Sequence, residues 1–232
     1  SWNTALWKNP NRVKIKEQNM ESVLKDLNPV LQMLLVMSVF SMLPFFFTCM
    51  TSFLRYAIVF SMLKQALGTQ QVPPGMVLVG LSIILTIYTM SPVFTKMWDM
   101  GSVPYQKNGD IVAAMTEGSK PLKEFMMKQT RQSDMTFFIQ LSGAPKPKTP
   151  DDITIWQVAP AYIISELKTA FEIGFVIYVP FIVLDLVVAN VLLALGMFML
   201  SPTIISLPFK LLIFIAVDGW SMIVHGLVTS FN

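Results

Sequence analysis

Charged side chains are scarce in this chain, and that scarcity argues against an ordinary soluble domain. Asp, Glu, Lys and Arg make up 13% of the 232 residues, whereas apolar types make up 53%. Soluble domains contain about 25% charged residues. Half that amount leaves too little polar surface to cover a soluble globule. The composition therefore predicts a membrane protein.

Cysteine and histidine are nearly absent, with only Cys49 and His225, both among apolar residues. A single cysteine forms no internal disulfide, and one histidine without cysteine partners does not suggest a metal site. The sequence also lacks a Gly-rich phosphate loop and a Ser/His/Asp set. We therefore predict no enzyme activity and no cofactor. The basic residues form no block of the kind that binds nucleic acid, so no nucleic-acid partner is predicted.

Two long runs without charge are present near the start of the chain. No charged residue occurs in residues 27–54 or in residues 65–95. A helix needs about 20 apolar residues to span a bilayer, so each run is long enough. Between them, Gly68 and the prolines at 73 and 74 predict a tight turn, because glycine follows helix ends and proline begins helices.

The fold class that follows is an all-α membrane protein. We predict two long helical hairpins joined by a polar, partly helical extracytoplasmic insertion. The predicted parts are a polar N-terminal arm at residues 1–27, a first hairpin at 28–98, the insertion at 99–152, and a second hairpin at 153–232. The insertion is assigned because it carries seven basic and seven acidic residues.

The two hairpins differ in charge. The first contains basic residues and no acid between 27 and 98, whereas the second contains four acids and two lysines. Unpaired charge is costly in lipid, so we expect the hairpins to neutralise each other. We predict that Arg55 or Lys64 pairs with Glu166, Glu172 or Asp185, in the same chain or a neighbouring copy. Burial is expected above all for Glu172 and Asp185. The candidates for buried charge are Arg55, Lys64, Glu166, Lys168, Glu172 and Asp185.

A turn rich in methionine interrupts the second hairpin. Gly196 frees the backbone to turn, and Pro202 is expected to stop the preceding helix. Between them stand Met197, Phe198 and Met199, and methionine side chains adapt to irregular gaps. From the residues alone, either an ordinary apolar turn or a flexible pore seal fits this segment.

Several blocks of sequence lie in a characteristic order: residues 51–55, 66–74, 121–126, 129–131, 165–175, 205–210 and 217–220. These blocks resemble the FliP family, the flagellar branch of a family shared with the R subunit of the injectisome export gate. The resemblance covers roughly residues 30–231.

The resemblance implies a closed channel that passes unfolded flagellar proteins across the bacterial inner membrane, within the flagellar basal body. It implies about five copies of the chain, assembled with FliQ and FliR subunits and other export-apparatus proteins. It also implies a pore gasket at Met197, Phe198 and Met199, where Phe198 replaces a methionine common in the family.

Two alternatives stay open. One is the injectisome R subunit, and the other is a small-solute or ion-coupled transporter that uses Glu172 and Asp185. Two criteria also disagree about the side of the membrane on which the insertion lies. The family places it outside the cytoplasm, whereas the arm and insertion hold twelve of the seventeen basic residues, which favours the cytoplasm by the positive-inside rule. We adopt the family topology.

Overall fold

The structure is a computed structural model that describes residues 29–69, 72–109, 111–143, 147, 149 and 152–231. Within these ranges the regular structure is α-helical and contains no strand, which confirms the predicted fold class. The predicted arm at residues 1–27, and most of the proline-rich connector at residues 145–150, lie outside the described residues. The helices are α1 (Pro29–Met50), α2 (Phe53–Ala66), α3 (Gly75–Asn108), α4 (Ile111–Gln129), α5 (Gln132–Leu141), α6 (Ile155–Ala194), α7 (Pro202–Ala216) and α8 (Gly219–Thr229).

Two of these helices are long and apolar enough to cross a membrane by themselves. They contain the segments Gly75–Gln106 in α3 and Ile155–Ala194 in α6. Two interrupted pairs reach the same length and composition when each counts as one span: Phe40–Met50 with Phe53–Ala66, and Pro202–Ala216 with Gly219–Thr229. By length and composition, the described residues thus offer two to four candidate spans.

The polar composition that begins at residue 99 starts inside a helix. Helix α3 continues to Asn108, and Gly109 then adopts a left-handed conformation that ends it. Helix α4 packs back along α3. Where they cross, a Cβ on Gly101 would lie 3.2 Å from the carbonyl oxygen of Ala114, and one on Gly118 would lie 3.3 Å from that of Met97. Glycine at both positions permits this close approach.

The described residues from Phe47 onward form one compact unit, and the described residues before it form another. In the larger unit, α2 supplies a buried stripe at helical spacing that includes Tyr56, Val59, Phe60 and Leu63. Helix α2 packs against α3 and α6, and α6 also contacts α4, α5 and α7. Helix α6 is therefore the element on which most of the packing converges. In the smaller unit, α1 leaves large apolar side chains exposed, among them Met33 and Phe40.

Candidate functional site

The turn between α6 and α7 is built by its glycine. Gly196 has φ +72°, in the left-handed region. Its N–H donates to the Leu193 carbonyl at 3.1 Å, and the Met197 N–H donates to the Leu192 carbonyl at 2.9 Å. This pair of bonds is a standard helix ending with glycine just past the last turn.

The prediction that Pro202 stops the preceding helix is wrong. Gly196 ends α6, and Pro202 is instead the first residue of α7. Proline suits that position because the N–H it lacks would have no partner inside the helix. The two residues still bound the turn, but each shapes a different helix.

The three side chains of the predicted gasket lie at the tip of this turn. Met197, Phe198 and Met199 are 44%, 77% and 99% exposed. Apolar exposure continues down both helices, at Leu193 and Leu195 on one side and at Ile204 on the other; exposed apolar patches of this kind mark interaction surfaces. In a single chain, the three side chains at the tip are therefore available for contact with other molecules.

Arg55 and Glu166 form a buried ion pair between α2 and α6, far along α6 from the tip. The Nε of Arg55 donates to Oε2 of Glu166 at 2.8 Å, and Nη2 donates to Oε1 at 2.5 Å. Arg55 is 2% exposed and Glu166 is fully buried. The side-by-side geometry is the strong bidentate form that arginine makes with carboxylates. The structure therefore joins one predicted base to one predicted acid within a single chain.

The remaining N–H groups of Arg55 reach two further elements. Nη1 donates to the backbone oxygen of Ser230 at 3.0 Å and to its hydroxyl at 2.8 Å, and Nη2 donates to the Gln129 side chain at 3.4 Å. Since the guanidinium has five N–H donors, all of them are used. The Arg55 Cζ also lies 3.7 Å from the ring centroid of Phe231, a cation–π contact. Arg55 thus ties α2, the end of α4, α6 and the segment after α8 together.

A second ion pair crosses the hairpin of α6 and α7. The Nζ of Lys210 donates to Oδ2 of Asp185 at 2.7 Å and to the backbone oxygen of Ala66 at 3.2 Å. The Ser206 hydroxyl donates to the other oxygen of Asp185. Lys210 is 3% exposed, whereas the Asp185 side chain is 32% exposed. Asp185 is therefore paired but only partly buried.

Glu172 is exposed, contrary to the expected burial. Its side chain is 63% exposed and accepts hydrogen bonds from Arg131 at 2.9 and 2.5 Å. These bonds raise the pKa of the Arg131 guanidinium above its ordinary value. Lys168 is also half exposed, and it bonds the buried Asp134 of α5. Both pairs fasten α5 and its approach to the outer face of α6.

Helical geometry explains why Glu166 is buried and Glu172 is not. Tyr162, Glu166, Ala170 and Gly174 are spaced four residues apart and are all buried, which defines the inner face of α6. Each helical residue turns by about 100°, so Glu172 points about 120° away from Glu166. The apolar residues that flank Glu172 in the sequence therefore do not make it buried in the fold.

Lys64 has no ion pair within the described part of the chain. It lies on the outer side of α2, next to the buried Leu63. It lines an open recess of about 480 Å³ together with Ser61, Gln65, Gly68 and Thr69. Within the described residues, the predicted pairing of the two hairpins is therefore made by Arg55, and Lys64 takes no part in it.

Five residues of this network were not predicted from the sequence: Lys210, Arg131, Asp134, Ser206 and Ser230. A signal for Lys210 was present, because Asp185 and Lys210 bound an otherwise uncharged run, and complementary charges at the two ends suggest a pair. Ser230 carried no such signal. Among the described residues, no three His, Cys, Asp or Glu side chains gather in a group that could hold a metal ion.

Comparison with known proteins gives the family. The FliP family model matches residues 36–227. The chain is 43% identical over 208 residues to the flagellar biosynthetic protein FliP of Bacillus subtilis (strain 168), covering 89% of the chain and 94% of that relative. It is 43% identical to the protein of the same name from Pectobacterium carotovorum subsp. carotovorum, covering 86% and 78%. It is 41% identical to the Yop proteins translocation protein R of Yersinia pestis, covering 87% and 96%.

The fold and the site define an all-α membrane protein whose buried charged groups pair within the described part of its own fold and whose exposed tip is apolar. The family match extends over most of the chain and confirms the resemblance read from the sequence blocks. The chain belongs to the FliP family.

Proposed function

We propose that this chain is a core subunit of the flagellar type III protein-export gate, the closed channel that passes unfolded flagellar proteins across the inner membrane. Membership of the FliP family carries this proposal, with relatives named as flagellar biosynthetic proteins at 43% identity. The subunit works in the basal body as about five copies with FliQ and FliR subunits and other export-apparatus proteins. It uses no catalysis and no cofactor.

In this gate, the tips of neighbouring copies meet near the central axis and seal it. The exposure of Met197, Phe198 and Met199 supports this role, because apolar side chains left in the open require a partner. Each contact between two nonbonded atoms contributes only about 0.1–0.2 kcal/mol. A substrate chain can therefore replace the contacts of the closed seal one at a time.

Replacing Met197, Phe198 and Met199 by glycine tests the seal. The variant is expected to assemble at close to the normal level, since these side chains do not pack in the core of the chain, and to leak small ions across the inner membrane. Phe198→Met is the matched control and should keep both assembly and low leak, because methionine restores an adaptable apolar side chain. The measurement is ion conductance in cells at matched complex levels. Conductance unchanged in the glycine variant would remove the gasket role.

The injectisome alternative is supported by the relative from Yersinia pestis, which is 41% identical. Complementation separates the two systems. A flagellar subunit is expected to restore motility to a strain that lacks its own FliP, and to leave an injectisome-deficient strain without secretion. The opposite pattern would assign the chain to the injectisome.

The transporter alternative has less support. An ion-coupled site needs a carboxylate free to exchange its ion. Glu172 is instead held by Arg131, and Asp185 is held by Lys210 and Ser206. The mass of the intact purified complex tests this alternative, because a gate requires several copies with smaller partners. A chain that works alone or as a simple dimer would contradict the gate.

A further inference from the structure

Lys64 and Asp218 carry opposite charges and have no ion pair among the described residues. In α2 and in residues 155–229, every other Asp, Glu, Lys and Arg side chain has one. In the first hairpin, the exposed Lys96 of α3 also lacks one. Charge left unpaired in a membrane protein is expensive. Lys64 and Asp218 do not meet each other within the chain. Their counter-charges must therefore come from outside it.

Asp218 stands at the corner between α7 and α8. Helices α7 and α8 meet at a bend of 63°, and Asp218 lies there with φ +49°, a left-handed conformation unusual for a residue other than glycine. The corner is held firmly, because a Cβ added to Gly219 would lie 2.3 Å from the Phe214 ring. The Asp218 side chain is exposed and makes no capping bond to α8.

The surface around this corner is apolar. Ile215, Val217 and Met222 are 75%, 52% and 61% exposed. A single acid surrounded by exposed apolar side chains is the composition expected of a protein contact with one charge that fixes its register, rather than of a solvated surface.

Lys64 has the complementary surroundings. Its open recess at the end of α2 is lined by no acid. Thr69, which lines the same recess, has a buried hydroxyl without a hydrogen-bond partner among the described residues. Lys64 is the one charged residue among those that line the recess, and its ammonium suits a carboxylate from another molecule.

We propose that the corner at Asp218 of one copy seats in the Lys64 recess of the neighbouring copy, where the Asp218 carboxylate pairs with the Lys64 ammonium. The contact is head-to-tail, since two different surfaces meet, and such contacts generate rings or helical arrays rather than closed dimers. The inference rests on the proposed function only in requiring several copies of the chain, and it adds which faces meet.

Charge exchange tests the pairing. Lys64→Glu and Asp218→Lys should each reduce the assembled complex at least fivefold, because each places like charges together at every junction. The double variant restores the opposite charges and is expected to recover at least half of the normal level. Lys128→Glu, which reverses another exposed lysine, is the matched control and should assemble normally. A double variant no better than either single variant would overturn the pairing.

Crosslinking gives a readout that does not depend on stability. Lys64→Cys and Asp218→Cys are combined in a Cys49→Ser background and treated in membranes with a short bismaleimide, because a lysine side chain reaches farther than a disulfide can bridge. We expect a ladder of linked copies, and no ladder from either cysteine alone. A complex with normal copy number but without the ladder, or with Lys64→Cys linked to a smaller protein or to nothing, would refute this contact and leave the proposed function standing. A wild-type complex without several copies would instead refute the proposed function.

Discussion

Removing the Glu166 carboxylate leaves a buried guanidinium without its counter-charge. Glu166→Gln keeps the size of the side chain but removes the negative charge that faces Arg55 at 2.5 and 2.8 Å. Breaking one partner of a buried ion pair costs about 3–5 kcal/mol of unfolding free energy. Arg55 keeps its bonds to Ser230 and Gln129, so we expect the lower end of that range, about 3 kcal/mol.

Glu172→Gln is the matched control on the same helix. It also removes a carboxylate that binds an arginine through two hydrogen bonds, but this pair is exposed. Exposed ion pairs contribute far less to stability than buried ones. The two glutamates therefore share chemistry and differ mainly in burial, and we expect Glu166→Gln to lose clearly more stability than Glu172→Gln.

The assay is equilibrium unfolding of the purified chain in detergent micelles. A third variant, with Arg55 and Glu166 both changed to Met, should be more stable than Glu166→Gln, because no charge is then left unpaired in the interior. Equal losses for Glu166→Gln and Glu172→Gln would contradict the argument that burial determines the cost. So would a double variant less stable than Glu166→Gln.

Three further expectations follow from the packing. Gly118→Val should cost about 1–3 kcal/mol, because its side chain enters the crossing of α3 and α4, whereas Gly80→Ala, which meets nothing within 4 Å, should not destabilise the chain in the same unfolding assay. Lys210→Met should cost about 1–2 kcal/mol, less than the loss at Glu166, because the Asp185 left behind is partly exposed. Protease added to intact spheroplasts is expected to cleave within residues 99–152, and cleavage only from the cytoplasmic face would reverse the adopted topology.

The apolar hairpins were predictable because their signals are local. The run without charge at residues 65–95 is longer than a bilayer-spanning helix requires, and the structure continues that helix to Asn108. Gly196 was predictable for the same reason, since glycine at a helix end needs no distant partner. The polar composition after residue 99 suggested that the helix ends there. Helix α3 instead continues to Asn108, because its polar part packs against α4.

The ion-pair partners were harder to predict from the sequence, because pairing depends on how each helix is rotated about its axis and positioned along its neighbour. Composition indicated that bases of the first hairpin meet acids of the second, and Arg55 does bind Glu166. Sequence position could not separate Glu166 from Glu172, which lie six residues apart on different faces of one helix. Arg131 and Glu172 are separated by 41 residues, and only the packing of α5 on α6 brings them together.

The five hydrogen bonds around Arg55 also impose an order on biogenesis. The ribosome delivers Arg55 first, then Gln129 and Glu166, and residues 230–231 much later. Until those residues arrive, the two N–H groups of Nη1 and one face of the guanidinium lack their native partners. A buried donor without an acceptor costs about 1–3 kcal/mol, so we expect the bundle around α2 to be less stable until α8 has been made. The same arginine that holds the finished fold together would thereby disfavour that fold in an incomplete chain.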